Sequence, residues 1–527
     1  VETEVGIVGA GAAGGVLALE LGRRGIPVVV LESGPRHDLA RRGESVRRLL
    51  RRENPWPTAP RELGLYTVGG PVIYQLEGRR VRGVGGSTLH WEGYAVRMHE
   101  RDFRLRTLHE IAEDWPIAYA ELEPYYSAAE RALGVAGVAD EPWASPRSAP
   151  FPMPAFAFSH SDRIFAGACQ ALGIGFHHLP QARNSLAYDG RPQCRACGTC
   201  AACPTGAKAS ADLAQIPRAE ATGHVRVIAG ATVLRLELDA AGAVEALVYA
   251  GLDRVERRLT ARTFVLAGGA VENARLLLLS TSKQFPAGLA NRSGMVGKRF
   301  MSHPAVDVIG RSRDNVYPYR IGFSTAMSRQ FAIEGDRAAR GAFLLEFLNS
   351  AGPTPEGIAV SSGLTGEALR RRVREEFGRW LGIRVYVEQL PDPANTISLN
   401  PGVRDYFGSP VPHVRYSLSP YERGALDDAR GTASRILATL GLSDIRASGL
   451  SFAGHQIGTH RMGTDPGTSV VDTNLRAHDV PNLYLVGSGA FVTASASPPT
   501  LTIAALAIRA AGHIAAGLGR SPAASAG

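Results

Sequence analysis

Thr3-Glu4-Val5-Gly6-Ile7-Val8-Gly9-Ala10-Gly11-Ala12-Ala13-Gly14 leads directly into Gly15-Val16-Leu17-Ala18-Leu19-Glu20-Leu21. After Arg23-Arg24-Gly25 comes Pro27-Val28-Val29-Val30-Leu31-Glu32. An apolar strand turns on glycines into a helix, the helix stops at Gly25, and a second strand ends in an acid. Gly9 permits the tight turn, Gly11 lets backbone approach a pyrophosphate, and Gly14 lets helix and strand pack closely. Phosphates sit on the free N–H groups of such a helix start, and Glu32 falls where an acid takes the adenosine ribose hydroxyls. The spacing therefore predicts a dinucleotide site, with NAD and FAD both open.

Further along, Thr263-Phe264-Val265-Leu266-Ala267-Gly268-Gly269 is another buried strand ending in glycines, and Glu272 to Leu278 opens a helix. The C-terminal part follows the same pattern, with Asn482 to Val486 reading as a strand, Gly487-Ser488-Gly489 as a tight turn, and Leu501 to Ala515 as a helix. The sheet begun at the N-terminus is thus completed by remote segments. Val225 to Ala250 alternates like a hairpin turning at Asp239-Ala240-Ala241-Gly242. Ala120 to Leu133 carries apolar residues at helical spacing. Between residues 311 and 449, short alternating runs broken by Pro and Gly fit a mainly antiparallel second domain. The expected fold is α/β: a discontinuous Rossmann-like domain (1–100, 225–310 and 450–520) and an α+β substrate domain (101–224 and 311–449), with a cysteine-rich insertion at 190–210.

A chain of 527 residues is too long for one core, and 45% hydrophobic with 20% charged residues is ordinary for a folded globular protein. The formal net charge is +9, nearly all of it arginine, because Lys208, Lys283 and Lys298 are the lysines among 58 basic residues. That charge is scattered among acids, so it reads as a solvated surface and not as a nucleic-acid footprint. No run reads as a transmembrane segment, since the uncharged stretch from Asn482 to Ile508 is broken by Ser, Thr and two prolines. A secretory leader is not expected, the first strand starting almost at residue 1. The location stays open between cytoplasm and a partner-bound place in the periplasm or at a membrane surface.

Five cysteines are too few for a disulfide scaffold in a chain of this size. Cys169 stands alone and reads as a small hydrophobe. Cys194, Cys197, Cys200 and Cys203 are each separated by two residues, and Pro204 follows the last. Four thiols this close call for an occupied state. Zinc remains open, although structural zinc sites usually use two separated pairs; a thiol redox pair could use Cys194 with Cys197 or Cys200 with Cys203. An iron–sulfur cluster is the preferred reading if the dinucleotide is a flavin, whose electrons then need an exit, even though the run is one residue short of the bacterial ferredoxin spacing.

Several further motifs stand in a characteristic order: Gly85-Gly86-Ser87 before His90-Trp91, Gly268-Gly269-Ala270-Val271-Glu272, His455-Gln456-Ile457-Gly458-Thr459-His460-Arg461-Met462-Gly463, Ser469-Val470-Val471-Asp472 and Pro499-Thr500-Leu501-Thr502-Ile503. With the N-terminal fingerprint, they make the chain resemble the glucose-methanol-choline (GMC) oxidoreductases over almost its whole length. The resemblance implies FAD as cofactor, bound by Gly9, Gly11, Gly14, Glu32, Gly85, Gly86, Ser87, His90, Val233, Gly268, Gly487 and Thr500. It implies hydride removal from a hydroxyl-bearing carbon to flavin N5, with His455 as the base facing the substrate. That role suits an imidazole near neutral pKa. Where the family carries a second active-site Asn or His, this chain has Pro498, which offers no side-chain donor or acceptor, so two repairs are open: Ser497 or Ser495 turns its hydroxyl into the site, or the partner comes from another strand. His460 is expected to be a supporting polar residue. His90 precedes Trp91 where some relatives bond histidine covalently to the flavin, and here covalent linkage and simple packing are both open.

Catalytic subunits of sugar, gluconate and glycoside dehydrogenases in this family carry a similar cysteine-rich insertion, followed by a run like Gly206-Ala207-Lys208. The resemblance implies a 3Fe-4S or 4Fe-4S cluster on Cys194, Cys197, Cys200 and Cys203. It also implies a cytochrome or other one-electron acceptor as partner, together with a small accessory subunit. The expected activity is oxidation of a secondary or anomeric hydroxyl of a sugar, polyol or glycoside. Two other readings stand beside it: a pyranose- or C-glycoside-type oxidase using dioxygen, with structural zinc or disulfide cysteines, and a non-catalytic subunit that holds FAD.

Overall fold

The computed structural model describes residues 1–316 and 322–520. Its first sheet has the strand order 225–229, 28–32, 2–8, 256–266, 244–250, 232–238, and the short strand Leu483–Leu485 also pairs with 256–266. The pairs 225–229/28–32, 28–32/2–8, 2–8/256–266 and 256–266/483–485 are parallel. The eleven-residue strand Glu256–Leu266 joins the parallel and antiparallel parts of this sheet. Its first half lies antiparallel to Val244–Ala250, and its end runs parallel to both Glu2–Val8 and Leu483–Leu485. Strands buried on both faces read as continuous apolar runs, as Val28-Val29-Val30-Leu31 does.

The Val225–Ala250 stretch is not a single hairpin. Gly230, at φ +70°, turns the chain, so Val225–Ala229 becomes a parallel edge strand on Val28–Glu32. Thr232–Leu238 and Val244–Ala250 form the antiparallel pair on the other side of the sheet. Alternation reported strand character correctly, but it carries no information about the partner.

The second sheet is antiparallel throughout, in the order 443–447, 304–311, 380–387, 343–348, 324–328, 177–178, with 451–452 also on 304–311. Pro304–Arg311 therefore belongs to the substrate sheet, although the sequence placed 304–310 in the cofactor domain. The long helix Pro420–Thr439 packs on one face, over Leu381, Ile383, Val385, Leu345 and Val308. The other face turns toward the cofactor domain. A small sheet of Thr396–Arg404, Pro410–Arg415 and Thr67–Gly69 lies against the helix Gly269–Leu279, tying part of 311–449 back to that domain.

The helix expected at Leu501–Ala515 runs from Thr500 to Gly517. Its eighteen residues are long and apolar enough to cross a membrane by length and composition. In the fold it is mostly buried, packed between Ala12–Gly22 and Tyr119–Leu133, so it is a core helix.

Candidate active site

A cavity of about 730 Å³ opens between the two sheets. One end is built by the glycine turns. Gly9 has φ +100°, and a Cβ on Gly14 would overlap the Gly9 carbonyl oxygen, so only glycine lets the helix start this close to the strand. The second glycine turn packs on the first: a Cβ on Gly86 would lie 2.9 Å from Gly11 Cα, and Gly85 donates its N–H to the Ala10 carbonyl at 3.0 Å. Glu32 ties them together. Its Oε2 accepts from Ala10 N–H at 3.0 Å, and its Oε1 accepts from Gly34 at 2.9 Å and Gly83 at 3.1 Å. Burial nevertheless raises its pKa above the usual carboxylate value, against those three amide bonds and Arg82.

Of the residues expected to meet the cofactor, Gly9, Gly11, Glu32, Gly86, Ser87, His90, Val233, Gly268, Gly487 and Thr500 line the cavity. Gly14 and Gly85 stand behind it and shape the two turns. Arg80, Arg82 and Glu272 also line this end, and Glu272 is ion-paired with Arg80, with Arg82 at 2.9 Å and with Arg275 at 3.4 Å. The pairs with Arg80 and Arg82 were not legible, because they join residues almost 200 positions apart. The cradle fits a dinucleotide: free backbone amides on glycine turns, with a carboxylate and guanidinium groups beyond them.

His455 lines the opposite end of the cavity. It is paired with His303, which the sequence reading missed: the two Nδ1 atoms are 2.7 Å apart, and His303 Nε2 lies 2.7 Å from the Ser495 carbonyl oxygen. These contacts fix the tautomers. A carbonyl only accepts, so His303 Nε2 carries hydrogen; neutral His303 then accepts at Nδ1, and His455 donates from its own Nδ1. His455 Nε2 is left without a proton and faces the cavity as an acceptor. Burial lowers both imidazoles, His303 to about 4 and His455 well below its ordinary value, with His303 a second cause for the latter. Both are neutral at neutral pH. His303 follows Ser302 in the loop that enters the strand Pro304–Arg311, and a lone polar residue there gave no periodic signal.

The hydroxyls expected to replace the missing Asn or His do not reach the cavity. Ser497 is buried and donates to the Arg97 carbonyl at 3.3 Å; Ser495 donates to Asp102 Oδ2 at 2.7 Å. Pro498 and Pro499 form the wall there. Ser495 contributes through its backbone, whose carbonyl orients His303. His460 is fully buried away from the cavity, beside Gly489, where a Cβ would strike its ring, and burial lowers it to about 3.

The remaining wall is the inner face of the substrate sheet. Asp307, Arg384 and Tyr386 line it, joined by Glu92 and Tyr94 from the segment after His90-Trp91. Each of three neighbouring apolar strands brings a charged residue to this face. Arg384 sits opposite Asp307 on one side and Glu346 on the other. The charges Asp307, Glu346 and Arg384 within these apolar strands were visible in sequence, but their convergence was not.

The cysteine run lies beside the His90 loop. Lys208, fully buried, donates to the carbonyls of Thr88 at 3.1 Å, Leu89 at 3.0 Å and Trp91 at 2.7 Å, and burial lowers its pKa to about 8. The four thiols do not converge. Cys200 and Cys203 are buried, Cys194 is half-buried and Cys197 is exposed. Cys200 Sγ meets an Arg183 N–H at 3.7 Å, Cys203 Sγ accepts from Lys208 N–H at 3.5 Å, and Cys197 Sγ lies 3.1 Å from Thr199 Oγ1. Among the described residues no group of three or more His, Cys, Asp or Glu side chains is placed to hold a metal ion. The expected cluster site is not shown by this arrangement.

A glycine-turn dinucleotide cleft facing an imidazole across a shared cavity is the arrangement of a dinucleotide-dependent oxidoreductase. The chain belongs to the GMC oxidoreductase family, whose description matches residues 65–305 and 391–507, while an FAD binding domain matches 2–47. It is 33% identical to the fructose dehydrogenase large subunit of Gluconobacter japonicus over 97% of each chain. It is also 30% identical to paromamine 6'-oxidase of Streptomyces fradiae, covering 98% of this chain and 92% of that one. The fold matches the crystal structure of pyridoxine 4-oxidase from Mesorbium loti with TM-score 0.66 at 20% identity, over 97% of this chain and 99% of that one. The protein is thus an FAD-dependent enzyme acting on CH–OH donors.

Proposed function

We propose that the protein is a dehydrogenase oxidising a secondary or anomeric hydroxyl of a sugar, polyol or glycoside, with His455 taking the hydroxyl proton. The observation that carries this reading is the His303–His455 pair, which leaves an unprotonated Nε2 at the cavity. Fructose and paromamine, in the names of the two relatives, support a sugar-derived substrate. FAD, held by the glycine turns, supplies the hydride acceptor. A depressed pKa makes His455 a weak base toward an alcohol at rest. As hydride leaves carbon, however, the hydroxyl becomes the strongly acidic O–H of a protonated carbonyl, and a neutral imidazole then takes its proton readily. Pro498, Pro499, Tyr94 and Tyr386 line the cavity with His455.

The test is anaerobic flavin reduction by a panel of sugars and polyols, with His455→Ala as comparison. Reduction slowed by on the order of 100-fold in the variant, with FAD retained, is expected; equal rates would reassign the base. The finer part of the proposal is an iron–sulfur cluster on Cys194, Cys197, Cys200 and Cys203 and a one-electron protein acceptor. Four cysteines within ten residues, beside the His90 loop, support it. Their separated side chains do not, so no electron step is assigned to them. Stoichiometric iron and sulfide with a low-temperature EPR signal would support the cluster. Zinc or disulfides, with fast peroxide formation, would favour the oxidase reading instead.

A further inference from the structure

The segment from Phe491 to Pro499 is buried along its whole length, yet it contains neither helix nor strand. Its backbone polar groups must therefore find partners elsewhere in the fold. Ser495 lies in this segment at φ +58°, the left-handed region that serine, unlike glycine, enters at a cost. Its side chain is anchored there. Ser495 Oγ donates to Asp102 Oδ2 at 2.7 Å and accepts the Ser497 N–H at 3.2 Å. Asp102 is buried as well, and its Oδ1 accepts from Arg337 at 2.7 Å, while the other terminal nitrogen of Arg337 pairs with Glu388. Burial works to raise the Asp102 carboxyl, but Arg337 and Ser495 hold it below the usual carboxylate value, so it is an ionised, fixed acceptor.

The direction of a carbonyl is set by the two soft dihedrals of its residue. With Ser495 left-handed, its carbonyl oxygen meets His303 Nε2 at 2.7 Å, and His303 Nδ1 meets His455 Nδ1 at 2.7 Å. Were Ser495 to return to negative φ, that carbonyl would turn away and His303 would be free to carry its hydrogen on Nδ1. His455 would then have to accept at its own Nδ1 and carry its proton on Nε2, the atom that has to be vacant. The tautomer of the base thus depends on the backbone of Ser495, and that backbone depends on Asp102. The same strand end fixes His303 from its other side, because Gln389, next to Glu388, accepts the Ser302 N–H at 2.8 Å.

We propose that Asp102 is a positioning residue for the carbinol oxidation: it holds Ser495 in the left-handed conformation, whose carbonyl fixes His303 and, through it, the unprotonated Nε2 of His455. The proposal rests on the reading of His455 as the base. Neither Asp102 nor Arg337 lines the cavity, so the effect falls on the rate of flavin reduction and not on substrate affinity. Glycine separates this role from a general structural one. A positive φ costs glycine nothing, so a glycine at this position has less need of Asp102, whereas a part that only stabilises the fold gains nothing from the more flexible residue.

The experiment is anaerobic flavin reduction of the FAD-loaded enzyme by the best reductant of the sugar and polyol panel, with FAD content and melting temperature recorded for each variant. Ser495→Ala keeps the unfavourable backbone and loses the bond to Asp102, so its limiting rate is expected to fall on the order of tenfold, with the half-saturating concentration within roughly twofold of the parent. Ser495→Gly is expected to be roughly threefold or more faster than Ser495→Ala. Asp102→Ala is expected to slow the parent on the order of tenfold, but the Ser495→Gly background by roughly threefold or less. Because Asp102 pairs with a buried guanidinium, its variant also probes folding, and the two Ser495 variants carry the test if it fails to fold. A parent-like rate in Ser495→Ala, a change confined to the half-saturating concentration, Ser495→Gly no faster than Ser495→Ala, or an equal cost of Asp102→Ala in both backgrounds would each overturn the positioning role and leave His455 as the base. No flavin reduction by the parent, or parent-like reduction by His455→Ala, overturns the oxidation reading itself and takes the positioning role with it.

Discussion

Replacing His303 with alanine tests the tautomer argument directly. In the structure His303 receives the Nδ1 proton of His455 at 2.7 Å and anchors itself on the Ser495 carbonyl at 2.7 Å. Without it, His455 Nδ1–H has no acceptor, and the ring is free to flip or to place its proton on Nε2, the atom that must be vacant. Leaving one buried donor unsatisfied costs about 1–3 kcal/mol. If that cost falls on the reactive orientation, flavin reduction slows by roughly 10- to 100-fold. His303→Asn, whose amide oxygen can accept from His455, should recover part of the loss. The pH profile separates orientation from general damage. His303 is the second cause, after burial, of the low His455 pKa, so removing it should move the acid limb of the reduction rate to higher pH. The assay is anaerobic stopped-flow reduction by the best reductant of the sugar panel, with FAD content checked by absorbance. Parent-like rates with an unshifted acid limb would refute the dyad.

Gly14→Ala should yield protein depleted of FAD, read from the ratio of flavin to protein absorbance, because its Cβ overlaps the Gly9 carbonyl oxygen; full flavin content would contradict the close-packing argument. Lys208→Met should lower both the melting temperature and FAD retention, since it strips three carbonyls of the 88–91 loop of their donor, and an unchanged melt would show that water replaces the ammonium. Stability should fall as pH drops below the ordinary histidine value of 6.5, because the unfolded chain then binds protons that His90 and His303, both lowered to about 4, do not bind when folded. Each such histidine contributes about 3 kcal/mol of stability that is present above that value and lost on the way down to about pH 4. A urea midpoint that stays constant across this window would rule the effect out.

Whatever depends on neighbours along the chain was legible before any fold was known. Gly9, Gly11, Gly14 and Glu32 announced the dinucleotide turn because steric demands on glycine and the strand–turn–helix period are local. The order of the motifs through His455 announced the family. Whatever depends on partners distant in the chain came only from the folded arrangement. Val225–Ala229 left its expected hairpin, since pairing is set by what lies across the sheet and not by alternation. Ser497 turned away toward the Arg97 carbonyl, and His303, 152 residues before His455, came into contact with it. Glu92, Asp307, Glu346 and Arg384 gathered into one wall from four separate segments. An isolated acid in an apolar strand is visible in one dimension, but its charge balance exists only where the strands meet.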